Sequence, residues 1–242
     1  MNTNRTRTLL LFVMAALASR DATAKAEPIP FKDARIKFEV NATDLDGGIQ
    51  IFVDADGWKA LHIFDPSGKE ILETITRGRI AKQGGTELFM ESAEPDFDEL
   101  PLEELLERFP EGNYRFRARG LEGERMEGVA ILTHDIPDGP RLVSPLEGGP
   151  LQDPDSTVVV WEPVAAPNGS PIIGYQVLVV QPDTGVLALP KVTLDVMMPP
   201  TATSVAVPPG FLLPDTEYEW EVLAIEASGN QTLSSSFFRT AP

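Results

Sequence analysis

The chain of 242 residues has no cysteine and only two histidines, His62 and His134. Without cysteine there is no disulfide, no Cys/His zinc site and no lipid-modified cysteine. The fold must therefore stand on its core alone. Each histidine lies in or at the end of a strand-like stretch, with no context for a Ser/His/Asp arrangement, so no catalytic residue is assigned. Phosphate-cradling glycine loops are missing as well; the glycine pairs at 47–48, 84–85 and 148–149 read as turns. Basic residues are scarce, 20 Lys and Arg against 37 Asp and Glu, for a formal net charge of −17. A surface this acidic repels nucleic acid and anionic lipid, which bind through Lys and Arg. The apolar run from Leu9 to Ala18 is too short for a membrane-spanning helix, which needs roughly 20 residues.

That short run fits another role. Arg5 and Arg7 precede it and Ala24-Lys25-Ala26 follows it, the order of a secretory signal peptide of bacterial type over residues 1–26. The expected location is exported, periplasmic or extracellular, with no membrane span in the mature chain. The remaining 216 residues hold 16 basic and 36 acidic groups, a net charge of −20. That length suits two domains of about 100 residues each. The expected division is 27–138 and 139–242, within the Pro- and Gly-rich stretch "HDIPDGPRLVSP" (134–145). Charge changes there too: residues 27–141 carry 14 basic and 25 acidic groups, whereas 142–242 carry only Lys191 and Arg239 against 11 acids.

The second half reads as short strands between Pro/Gly turns: "STVVVW" (156–161), "IIGYQVLVV" (172–180), "TSVAV" (203–207), "YEWEVLAI" (218–225) and "SSSFFRT" (234–240). This spacing points to an antiparallel sandwich rather than a parallel sheet with crossover helices. Successive side chains in a strand face opposite sides. Tyr218, Trp220, Val222 and Ala224 therefore point to the core, and Glu217, Glu219 and Glu221 to water.

"LLPDTEY" (212–218) resembles the Leu-x-Pro-x-Thr-x-Tyr signature of fibronectin type III domains. Trp161 with Pro163, "PIIGYQV" (171–177) and "EASGNQ" (226–231) are similar to that family's strand B, strand C and F–G loop. The resemblance covers residues 140–242. It implies a sandwich whose Tyr218 hydroxyl bonds to upstream backbone and fixes the corner before strand F. The segment 192–211 departs from the compact family pattern.

The first half contains strand-like stretches at 35–41, 48–54, 59–65, 86–92, 113–120 and 127–134, with turns at "DPSG" (65–68) and "LEGE" (121–124). In "YRFRAR", Tyr114, Phe116 and Ala118 go inward, and Arg115, Arg117 and Arg119 face water. Leu102, Leu105, Leu106 and Phe109 fall at helical spacing behind Pro101, which suits a first turn. "FPEGNYRFRARGLEGERMEGVAILT" loosely resembles the last hairpin of bacterial immunoglobulin-like domains. The expected architecture is all-β: an Ig-like sandwich with one short helix, then a fibronectin type III sandwich, after a signal peptide.

Two features bear on function. Asp44/Asp46 and Asp54/Asp56 each precede a glycine and read as turns flanking one strand. A strand of about six residues spans roughly 20 Å, too far for the two turns to share an ion. No metal and no cofactor is assigned, and calcium stays an alternative. On the outer side of strands C and F, Leu178, Val180, Leu223 and Ile225 form an apolar set. It covers itself on the first domain or the 181–202 segment, or forms a contact patch for a partner. The expected function is an exported, non-enzymatic binding or structural module making protein–protein contacts. The alternative is a carbohydrate- or calcium-associated accessory protein, and after that a small secreted hydrolase.

Overall fold

The computed structural model describes residues 27–242 apart from 182, 183, 186, 187, 189 and 190. The expected signal peptide at 1–26 thus lies outside the described residues. The first half contains strands β1 (Ile29–Pro30), β2 (Asp33–Asn41), β3 (Asp46–Phe64), β4 (Glu70–Ile75), β5 (Gly85–Glu91), β6 (Gly112–Gly120) and β7 (Arg125–Leu132). Helix α1 (Ile80–Gln83) precedes β5, and α2 (Leu102–Arg108) follows it. The second half contains β8 (Leu142–Ser144), β9 (Val158–Trp161), β10 (Ile172–Gln181), β11 (Val192–Met198), β12 (Ser204–Ala206), β13 (Glu217–Glu226) and β14 (Gln231–Arg239). No helix among the described residues is long and apolar enough to cross a membrane.

Strand β3 organises the first half. It runs 19 residues, pairing with β2 and β5 along its first part and with β4 and β6 along its second. The sequence suggested two strands separated by an Asp-Gly turn at 54–57. Instead, Asp54 and Asp56 lie within β3, and the register against β5 slips between Asp54 and Trp58. Apolar residues continue through the slip: Val53, Ala55, Trp58, Leu61 and Ile63 are all buried in one cluster with Phe38, Tyr114 and Phe116. Burial on both sides of an irregularity keeps the strand continuous where Asp and Gly would ordinarily break it. Helix α2 forms where the Leu spacing placed it, behind Pro101, and buries Leu105.

In the second half β14, β13, β10 and β11 form one layer and β12, β9 and β8 the other. Trp161, Tyr175, Tyr218 and Trp220, each at most 1% exposed, fill the space between. The Tyr218 hydroxyl accepts a hydrogen bond from the Leu213 N–H at 2.8 Å, the corner that the resemblance implies. The Trp220 indole N–H donates to the Pro145 carbonyl at 2.9 Å, tying β13 to the start of the domain. The divergent 192–211 segment supplies β11, paired in full with β10, and β12, paired with β9.

The two halves have separate cores but share a sheet. Strand β14 pairs in parallel with β2, with Gln231, Thr232 and Leu233 opposite Glu39, Val40 and Asn41. The layer therefore runs without interruption from β7 through β6, β3, β2, β14, β13 and β10 to β11.

Candidate functional site

The junction is built from one loop and one buried acid. Glu226, fully buried at the end of β13, accepts hydrogen bonds from the Ser170 hydroxyl, the Ser228 N–H and hydroxyl, and the Asn230 N–H. These bonds tie the 226–230 turn together and place Asn230 against the first half. There the Asn230 side-chain oxygen Oδ1 accepts from the Phe38 N–H at 2.9 Å, and the side-chain amide Nδ2 donates to the Thr133 carbonyl at 3.0 Å. Gly139 completes the seam, since a Cβ there would stand 2.4 Å from the Ala42 Cβ.

Beside the seam the outer face is polar and crowded. Lys37 donates to Gln231 at 2.5 Å, and Gln231 donates to Glu39. Gln50 donates to Glu91 at 2.7 Å. Gly48 lets the segment after β5 lie against β3, because any Cβ would meet the Ser92 hydroxyl at 2.6 Å and Glu94 at 2.9 Å. That close approach brings carboxylate oxygens of Glu39, Glu91 and Glu94 within 4.8 Å of one another. Partial burial, together with repulsion from Glu91, Glu39 and Asp46, pushes the Glu94 carboxyl up to about 7. Burial likewise raises Glu39 and lowers Lys37, and it raises Glu221, helped by Glu219 and Glu39. Three carboxylates this close either take up protons or have their charge offset by a cation. No signal in the sequence joined them, because Glu39 lies some fifty residues from the other two.

The residues expected to matter are placed as follows. Asp54 and Asp56 both face Lys32, at 3.8 and 3.2 Å, while Asp44 accepts from the Asn41 side chain at 2.8 Å. His62 pairs with Glu70 at 2.5 Å, and His134 meets the Phe109 carbonyl at 2.9 Å. Of the apolar set, Val180 and Leu223 are only 6% and 4% exposed, whereas Leu178 and Ile225 are half-buried. Leu223 sits between Gln176 and Leu233 in register, and Val180 between Glu219 and Thr193. Flanking side chains in a central strand shield such positions, an effect that alternation alone does not show. Met197 on β11, opposite Gln176, is 64% exposed and extends the same face outward.

The fibronectin type III domain model matches residues 151–240. Fast-type myosin-binding protein C from Mus musculus is 29% identical over 135 residues, which is 56% of this chain and 11% of that protein. The human protein is 29% identical over 126 residues, so the chain spans about a tenth of the length of these curated relatives. Among solved structures, the fibronectin(III)-like modules of Clostridium thermocellum CbhA align over 87% of this chain and 93% of that one, at 11% identity and a TM-score of 0.35. Residues 151–240 of this all-β chain are a fibronectin type III domain.

Proposed function

We propose that the chain is an exported, non-catalytic binding or structural module that makes protein–protein contacts in the cell envelope or outside the cell. The observation that carries this reading is the β14–β2 pairing, which joins the strands of the two halves in one uninterrupted sheet. Tandem domains usually move about their linker. Here the hydrogen bonds of Asn230 and the close fit of Gly139 oppose that motion. A tandem of fixed geometry suits a spacer or a contact surface. The partner-facing part is the outer side of β10, β11 and β13, where Leu178, Ile225 and Met197 lie among Gln176, Asp195 and Glu221. Val180 and Leu223 lie on the same side, shielded by the strands that flank them.

The test is a pull-down with residues 27–242 as bait from envelope extract, beside a variant carrying L178S and M197S. The expected result is a partner retained by the parent and lost by the variant, with unchanged melting temperatures. A partner retained equally by both, or none retained by the parent, overturns the reading.

A further inference from the structure

The strongest unexplained feature lies on the first domain, away from the junction. Arg115, Arg117 and Arg119 project outward from β6 at every second residue, and all three are exposed. In a chain with almost two acids per base, none of the three has a carboxylate partner among the described residues. Yet two of them are held in place. The Arg117 guanidinium lies 5.4 Å from the centre of the Phe64 ring. Arg119 donates to the Gly123 carbonyl at 3.3 Å. They border an open groove of about 570 Å³ whose other walls include His62, Phe64, Arg125 and Glu127. Further along the same face, Val129 and Ile131 of β7 are 60% and 61% exposed and stand opposite Arg115 and Asn113 in register.

We infer that this groove binds an extended acidic segment of a partner protein, one with a carboxylate at every second residue. The spacing supplies the argument. Outward side chains two residues apart on a strand lie about 6.6 Å from one another. An extended peptide with an acid at every second position presents carboxylates at the same interval. Guanidinium groups accept carboxylates in paired hydrogen bonds. Because Arg117 and Arg119 are already oriented, little freedom is lost when they bind. Phe64, Val129 and Ile131 share the arginines' face and so meet the methylene stems of the acidic side chains, while the intervening residues point away from the sheet. The volume falls in the range of ordinary ligand pockets, about 300–1,000 Å³. The inference is independent of the contact face proposed above, since it concerns a different domain and different residues.

The test is calorimetric titration of the chain with two synthetic heptapeptides of equal composition. One is Glu-Val-Glu-Val-Glu-Val-Glu; the other has its four Glu in one block and its three Val in another. The alternating peptide is expected to bind more tightly, and added salt to weaken it. R117Q and R119Q are each expected to lose about tenfold in affinity or more. R77Q, an exposed arginine elsewhere, is expected to leave binding unchanged. Melting temperatures show that each variant folds. Equal binding of the two peptides, or unaltered binding by R117Q and R119Q, overturns the inference. So does tighter binding of a sulfated oligosaccharide to the same arginines. Sedimentation showing self-association abolished by R117Q also overturns it, because the occupant is then the Glu217-Glu219-Glu221 face of a second copy.

Discussion

At the scale of single residues, two buried polar groups decide whether neighbouring segments can meet. The Tyr218 hydroxyl satisfies the Leu213 N–H, and nothing else about that side chain needs an oxygen. Tyr218→Phe keeps the ring between Phe211 and Phe238 and removes only the acceptor. We expect it to lower stability by about 1 kcal/mol, read from the midpoint of urea unfolding. Asn230 has a larger role because its loss strands two partners in the first half. Asn230→Ala leaves the buried Phe38 N–H without an acceptor and the Thr133 carbonyl without this donor. Each such orphan costs about 1–3 kcal/mol. The expected result is a loss of about 2–4 kcal/mol and separation of one melting transition into two. A single undiminished transition would show that Asn230 does not couple the halves.

At the scale of elements, the crowded acids on β2, β5 and the segment after β5 set a pH dependence. Glu94 is raised to about 7, and burial raises Glu39 and Glu221 as well. A carboxyl whose folded-state value exceeds its unfolded value binds protons more readily in the native protein. Its ionisation therefore weakens the fold as pH rises between the ordinary value near 4.5 and about 7. The melting temperature is expected to fall from pH 5 to pH 7.5, and Glu94→Gln to flatten that slope. Strand β3 shows what alternation could and could not reveal. Both apolar stretches, 48–54 and 59–65, were legible, as were α2, the β6–β7 hairpin and every strand of the fibronectin type III half except β8 and β11. The join between the stretches was not, because Asp54, Asp56 and Gly57 have turn chemistry locally, and only Ala55 and Trp58 in a distant core hold them extended. The short, charge-interrupted β4 was missed for a related reason: its side chains are half-buried or exposed, so no period stands out.

At the scale of the whole molecule, charge and topology act against each other. A formal net charge of −17 makes the compact state repel itself. Stability is therefore expected to rise when sodium chloride is added up to about 0.15 M, where the screening length is about 8 Å. A melting temperature that falls with salt would show that specific ion pairs outweigh the general repulsion. Exposed pairs such as Lys32 with Asp56 are each worth only about 0–1 kcal/mol, too little to reverse the trend. The two runs of strands on either side of the proline-rich stretch were legible. The shared sheet was not, because β2 and β14 lie almost two hundred residues apart and their pairing leaves no local pattern.

That pairing also dictates an order of events during synthesis. A chain made from its N-terminus completes β2 long before β14 exists. Until β14 (Gln231–Arg239) emerges, the backbone of β2 at Glu39–Asn41 offers its edge to any passing strand. A premature stop after Gly229 would make that interval permanent and remove the last strand of the second sandwich too. Such a product should accumulate as insoluble material, while the full chain stays in solution.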